Sequence, residues 1–244
     1  MEERKIAFFS DIHSNNEALQ AVLRDMQAQK VTERICLGDI VGYGPNPAEC
    51  VKAVQELGCP VVKGNHDEEV SGNESLDIYR DVVRAGLEWS RKLVTPEQKD
   101  WLRALPYVHE TEELTAVHSS LFEPVNWHYV FEQLDAERHF SQQHTRISFC
   151  GHTHMPVIWR HQVEYRERAV GAIIELDPNY HYLINVGSVG QPRDMNYRAC
   201  YLIYYPDKFA IQFRRVIYDV TRVQQKIMIA GLPKFLAQRL ALGK

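Results

Sequence analysis

The amino-acid sequence predicts an α/β fold, and three observations carry that expectation. Over the first third of the chain, short apolar runs alternate with stretches of helical periodicity. Each of those runs ends in a polar loop, as in a mainly parallel sheet whose strands are covered on both faces. Beyond residue 155 the pattern changes to strand-like runs joined by turns, which predicts a second, more antiparallel sheet.

In order along the chain, Ile6-Ala7-Phe8-Phe9 is an all-apolar strand that stops at Ser10-Asp11. Leu19, Val22, Leu23 and Met26 then fall at i, i+3, i+4 and i+7, one buried helical stripe. Asn15 or Asn16 suits its N-cap and Glu17 its first turn. Arg34 to Leu37 leads into Gly38-Asp39, and a helix from Pro47 to Leu57 follows, with Gly58 as its stop. Val61-Val62-Lys63 runs into Gly64-Asn65-His66-Asp67. From Glu68 to Leu105 the pattern is mostly helical, Pro96 marking a helix start, and residues 68–112 are expected as a helical cap insertion. Leu114 to Val117 returns to a strand ending at His118; Val130 to Gln143 is helical; Ile147 to Cys150 leads to Gly151-His152. Further strands are expected at Pro156–Trp159, Tyr182–Val186, Cys200–Tyr204 and Ala210–Ile217, before a last helix near Pro233 with Leu236 and Leu240 on one face.

Composition narrows the partners. The 244 residues have an ordinary apolar and charged fraction, enough for a sizeable core. A formal charge of −4 gives no general attraction to nucleic acid or to anionic membranes, though it leaves a local basic groove open. The five cysteines (Cys36, Cys50, Cys59, Cys150, Cys200) are odd in number, form no CxxC pair, and partly sit in apolar runs. They read as buried thiols of a reducing compartment. The run Ile6–Phe9 is too short for a signal-peptide core, and no run reaches a membrane span. A soluble, cytoplasmic chain without a membrane partner is expected; a homo-oligomer is left open. Residues with metal-ligand character extend from Asp11 to Asn185, so no cut leaves a self-sufficient half, and residues 1–244 are expected as one domain.

Six segments carry the chemistry: Asp11-Ile12-His13, Gly38-Asp39, Gly64-Asn65-His66-Asp67, Ala116-Val117-His118-Ser119, Gly151-His152-Thr153-His154 and Asn185-Val186-Gly187-Ser188. In open α/β sheets, ligands collect beyond the carboxyl ends of the strands, where these segments fall. Asp11 and His13 are two apart, as are His152 and His154, and in an extended segment such a pair points one way and can grip one ion together. Glycine at 38, 64 and 151 allows a sharp exit from each strand. Asp39 can bridge two ions with its two oxygens, Asn65 offers a neutral oxygen, and His118 another imidazole. Mixed imidazole and oxygen donors favour two divalent transition-metal ions, Mn foremost and Fe, Zn, Co or Ni as alternatives. Two ions roughly 3.5–4 Å apart suit hydrolysis at phosphorus. His66 then serves as general acid or transition-state stabiliser, and Asp67 can fix its tautomer by hydrogen bonding. The other histidines (His109, His128, His139, His144, His161, His181) read as surface or packing residues. Trp127, His128 and Tyr129 can floor a ring-binding pocket, although packing within the cap is the reading favoured.

Taken together, Asp11-x-His13, Gly38-Asp39, Gly64-Asn65-His66-Asp67, the strand-end His118 and Gly151-His152-x-His154 resemble the signature of calcineurin-like metallophosphoesterases. The run Asn185-Val-Gly-Ser-Val-Gly-Gln-Pro-Arg193 and the Gly231-Leu232-Pro233 tail resemble its small bacterial and archaeal phosphodiesterase branch. The resemblance implies a four-layer α/β/β/α sandwich with two mixed sheets and a central site. It implies one ion on Asp11, His13, Asp39 and His154, and another on Asp39, Asn65, His118 and His152. One departure stands out: related enzymes often continue Gly-Asp with Asp-Arg-Gly, whereas this chain reads Gly38-Asp39-Ile40-Val41-Gly42. Arg193 is the candidate replacement for the missing phosphate-binding arginine, its planar fork matching phosphate oxygens. The function expected is a phosphodiesterase that attacks a phosphate ester or nucleotide-type substrate with a metal-bridging hydroxide. The alternatives are a non-catalytic protein-binding scaffold on the same fold, or a nuclease.

Overall fold

Strand Ile6–Phe9 (β1) is buried throughout, and its alternate residues face different cores. Ile6 and Phe8 join one apolar cluster, Ala7 and Phe9 another, so an unbroken apolar run is what a strand between two packed layers requires. In the computed structural model, which describes residues 3–161 and 171–244, the elements that follow are α1 (Asn16–Ala28), β2 (Glu33–Cys36), α2 (Pro47–Glu56), α3 (Asn65–Ser71), α4 (Asp81–Leu93) and α5 (Pro96–Ala104). Then come β3 (Val108–Glu110), β4 (Thr115–Val117), α6 (Gln133–Phe140), β5 (Ile147–Cys150), β6 (Val157–Arg160), β7 (Ile174–Glu175), β8 (Tyr182–Asn185), β9 (Ala199–Tyr205), β10 (Ala210–Val216), α7 (Val220–Ile229) and α8 (Lys234–Leu242). Asn15 caps α1 by accepting from the Ala18 N–H at 3.1 Å, and Pro47 and Pro96 open α2 and α5.

The strands form two five-stranded sheets, ordered β2-β1-β9-β10-β7 and β3-β4-β5-β8-β6. Phe8 of the first stacks on Phe149 of the second with ring centroids 3.7 Å apart, inside a cluster fed by both sheets. The outer face of the first sheet packs on α1, α2, α4, α5, α7 and α8, and that of the second on α6. This is the expected α/β/β/α sandwich.

Its pairing differs from the sequence reading in two respects. The first sheet is not mainly parallel, because β1 pairs parallel with β2 but antiparallel with β9, and β10 with both neighbours. The late strands do not make a sheet of their own: β6 and β8 join the second sheet, β9 and β10 the first. Patterning specifies which face of a strand is buried, not which partner it meets. The strand expected at Val61–Lys63 shrinks to one bridge, Cys36 to Val61, because the Lys63 N–H turns to the Pro106 carbonyl at 2.7 Å. Residues 68–112 supply most of α3, with α4 and α5, to the helical layer of the first sheet and β3 to the edge of the second. Among the described residues, no helix is long and apolar enough to cross a membrane.

Candidate metal centre

The loops beyond β1, β2, β4, β5 and β8 meet at one end of the sandwich, joined by the turn into α3. Asp11, His13, Asp39, His152 and His154 all adopt left-handed backbone conformations, with φ of 53°, 46°, 51°, 67° and 60°. These are rare for residues with a side chain and cost of order 1 kcal/mol or more each. These segments are not extended: Asp11 and His13 still reach one group, as expected, but His152 and His154 aim at different groups. Gly38 turns at φ +87°, as expected, but Gly64 and Gly151 are needed for a different reason. A Cβ on Gly64 would stand 2.2 Å from Asp39 Oδ1, and one on Gly151 2.1 Å from Ser10 Oγ.

Three overlapping side-chain groups result among the described residues, and His13, Asp39 and His66 form the middle one between two others. In one, His154 Nε2 lies 3.3 Å from Asp11 Oδ1 and 3.1 Å from His13 Nε2. In the other, His118 Nε2 lies 3.4 Å from Asp39 Oδ2 and 3.2 Å from His152 Nδ1. His13 Nε2 reaches Asp39 Oδ2 at 3.6 Å, so Asp39 adjoins both. Asn65 immediately precedes His66, whose backbone N–H donates to Asp39 Oδ1 at 2.8 Å, and the Asn65 Oδ1 is buried without a hydrogen-bond partner.

The far nitrogen of each ring decides what the near one can do. His13 Nδ1 donates to the Val41 carbonyl at 3.0 Å, His154 Nδ1 to Gln191 at 2.6 Å, His118 Nδ1 to Leu37 at 2.7 Å and His152 Nε2 to Trp127 at 3.0 Å. With those protons committed, the neutral rings turn lone pairs toward one another and toward carboxylate oxygens. Asp11 Oδ1 is likewise buried with no donor. Acceptors facing acceptors at 3.1–3.4 Å repel unless a cation lies among them. The donor set fits divalent ions.

The electrostatics agree. Burial raises Asp11 to about 7, with Asp39 adding to it against His118. Burial also acts to raise Asp39, but His118, His66 and His13 outweigh it and hold that carboxyl well below its ordinary value. Burial opposes charge on His118, yet Asp39 and Asp11 overcome it and lift the ring to about 9, so that with no ion there a proton on this ring is the positive charge the carboxylates draw to the place a cation would take. Burial holds His13 and His154 well below the usual imidazole range and His152 at about 3.

His66 is buried beside both groups, 4.8 Å from the His13 ring and 4.6 Å from Tyr43, with Nδ1 unpartnered. Asp67 does not orient it. Its oxygens accept from the backbone N–H groups of Ile40 at 2.9 Å and Gly64 at 3.1 Å, so it ties the Asp39 loop to the Asn65 loop. Arg193 stands on the Asp11 side, its backbone N–H donating to the His154 carbonyl at 3.2 Å. The Asn185-to-Ser188 segment braces the site: Asn185 Nδ2 donates to the Gly151 carbonyl, and Ser188 Oγ to the Asp11 carbonyl at 2.8 Å. Sequence reasoning missed the carbonyls of Leu37, Val41, Trp127 and Gln191, since a backbone acceptor leaves no mark in residue type. Tyr129 stacks on His152 at 4.0 Å, so it edges the site and is more than cap packing.

A four-layer sandwich with paired Asp/His groups at its strand ends is the architecture of a metallophosphoesterase. Residues 5–208 match the calcineurin-like phosphoesterase superfamily domain, and the chain belongs to that family. It is 38% identical to an uncharacterized protein of Methanocaldococcus jannaschii over the full length of both chains. It is also 38% identical to a metallophosphoesterase from Sphaerobacter thermophilus, whose structure covers 100% of both chains with a TM-score of 0.90. A symmetrical bis(5′-nucleosyl)-tetraphosphatase of Coxiella burnetii is 30% identical over 55% of this chain and 47% of that protein. The chain is a phosphoesterase and a hydrolase.

Proposed function

We propose that the chain is a binuclear metal-dependent phosphodiesterase acting on nucleotide-type esters. The observation that carries this is the convergence of proton-free imidazole nitrogens and undonated carboxylate oxygens into two groups adjoining one carboxylate, Asp39. Asp11, His13, Asp39 and His154 would hold one ion, and Asp39, Asn65, His118 and His152 the other. Bound there, such ions supply Lewis acidity toward phosphoryl oxygens and lower the pKa of water. Imidazole with carboxylate favours Mn, Fe, Zn, Co or Ni.

The chain's own residues do the rest. The backbone carbonyls behind each ring fix its tautomer, so no reorganisation is needed when substrate arrives. His66, buried between Tyr43 and His13, offers an N–H to the developing charge on the leaving oxygen. Asp67 positions that histidine through the backbone instead of through its ring. Arg193, with Nε free of any partner, supplies planar donors to a non-reacting phosphoryl oxygen. The C. burnetii relative's name supports a nucleotide substrate. Four buried free thiols support a reducing, cytoplasmic setting. Residues 1–244 act as one unit, with α4 and α5 as the cap.

The test is turnover of bis(p-nitrophenyl) phosphate. Activity should disappear on chelation and return with Mn²⁺. A folded, metal-loaded protein inert toward aryl diesters, cyclic nucleotides and dinucleoside polyphosphates alike refutes the reading.

A further inference from the structure

The loop between β4 and α6 builds an aromatic cleft directly against the metal centre. Tyr129 stacks on His152 with ring centroids 4.0 Å apart and planes 22° from parallel, and Phe131 continues the column at 5.1 Å and 8°. Four phenylalanine, tyrosine or tryptophan side chains are exposed among the described residues, and Tyr129 (46%) and Phe131 (47%) are two of them. Tyr129 also lines a small cleft with Ser120, Phe122, His128, Asp135 and Arg138. The Phe122 and His128 rings stand 5.5 Å apart. A short turn brings them together, and the residues flanking it, Glu123 and Trp127, take left-handed conformations that a side chain disfavours, with φ of 48° and 55°. The Trp127 carbonyl at the end of that turn is the one that receives His152 Nε2.

The walls of the cleft are fastened. Ser120 Oγ accepts from the Phe122 N–H at 3.2 Å, and the Leu121 N–H donates to His139 of α6 at 3.0 Å. Asp135 Oδ2, also of α6, accepts from the N–H groups of Phe131 and Glu132, each at 3.1 Å. Arg138 lies one turn along α6 from Asp135, is exposed, and makes no hydrogen bond or ion pair among the described residues. Three rings and a guanidinium fork thus border one cleft, and one of those rings lies on a histidine of the metal centre. Such a cleft suits a flat heteroaromatic group, which stacks on rings and carries acceptors on its rim. In a nucleotide the base sits one sugar away from the phosphate, so a phosphate at the metal groups leaves its base to a neighbouring surface of this kind. A sugar or aliphatic ester would leave both the rings and the fork without a partner.

We propose that this cleft is a nucleobase subsite, with the base of the substrate packing against Tyr129 and its rim accepting from Arg138. This rests on the phosphodiesterase reading above and assigns its nucleotide preference to the loop between β4 and α6.

The experiment is calorimetric titration of the Mn-loaded full-length protein with AMP and with ribose 5-phosphate, free Mn²⁺ being equal in cell and syringe. The two probes share sugar and phosphate and differ in the base. The wild type should bind AMP at least about tenfold more tightly than ribose 5-phosphate. Tyr129→Ala should bring that ratio to within about twofold of unity, and Tyr129→Phe should keep it. Arg138→Gln, at an exposed helix position, should lower it about threefold or more. Were Tyr129 only a cover for His152, its loss would weaken both probes alike and leave the ratio intact. A wild-type ratio near one, or no binding of AMP at millimolar concentration, overturns the proposal, as does a ratio undiminished in either Tyr129→Ala or Arg138→Gln. Binding is read and not turnover, so an enzyme inert on aryl diesters would sink the catalytic reading separately.

Discussion

The loops from the first sheet supply both carboxylates of the metal centre, and those from the second supply imidazoles alone. On the first-sheet side the carboxylates are gripped by N–H groups, Asp11 Oδ2 accepting from the His152 N–H at 3.1 Å and Asp39 Oδ1 from His66, while His13 on the same side donates to the Val41 carbonyl. On the second-sheet side the imidazoles are gripped by carbonyls, as with His118 and His154. In each case one prong of a two-pronged side chain is anchored to backbone and the other is left to ligate. Many anchors cross between the halves, since Leu37 serves His118, His152 serves Asp11, and Ser188 Oγ reaches the Asp11 carbonyl. The site assembles only when the sandwich does, so metal affinity and fold stability are coupled.

The largest test of that comparison removes the carboxylate both groups share. Asp39→Asn should lower turnover by about 10³-fold or more and deplete bound metal, read by steady-state kinetics and elemental analysis. Next is the close approach behind it. In Gly64→Ala the new Cβ would meet the Asp39 nitrogen at 2.3 Å as well as its oxygen. A loss of about 2–4 kcal/mol in denaturant unfolding is expected. Gly58→Ala, at a left-handed position (φ +59°) with nothing within 4 Å, should cost only about 1 kcal/mol. Equal losses would show that the crowding at Gly64 is not what matters.

Asp67→Asn keeps the size of the side chain but leaves only one oxygen to accept from the amides of Ile40 and Gly64. Activity should fall about 10–100-fold while the melting temperature changes little, because the loop bearing Asn65 and His66 loosens. The smallest test uses an imidazole of the second half that ligates nothing. His139 Nδ1 accepts from the Leu121 N–H at 3.0 Å, its Nε2 lies 3.0 Å from Ser148 Oγ, and burial holds it at about 3. The unfolded ring protonates below about 6.5 while the folded one resists until about 3. Stability therefore falls with pH across that window, by up to about 1.4 kcal/mol per unit from this residue. His139→Gln should flatten the pH dependence of unfolding by that amount between pH 4.5 and 6.

Much of the candidate metal centre could be read in the sequence because the ligands proposed for it are residue types, placed where apolar runs stop. Asp11, His13, Asp39, His118, His152 and His154 converge as expected, and Asn65 adjoins Asp39. What could not be read is carried by backbone. The left-handed turns at His152 and His154 send those two side chains to different groups, which period-2 reasoning cannot anticipate, although Asp11 and His13 still share one. Asp67 looked like a partner for His66 because the two are adjacent, yet one of its oxygens accepts from the Ile40 N–H, 27 residues away in sequence, and the other from the Gly64 N–H. The pairing of β1 with β9 joins segments nearly the whole chain apart, and no local pattern encodes it.

The most direct measurement is anomalous diffraction at the manganese edge from crystals grown with Mn²⁺. Two peaks roughly 3.5–4 Å apart should flank Asp39, one within reach of Asp11, His13 and His154, the other of Asn65, His118 and His152. A single peak, or ions bound away from Asp39, would contradict the account.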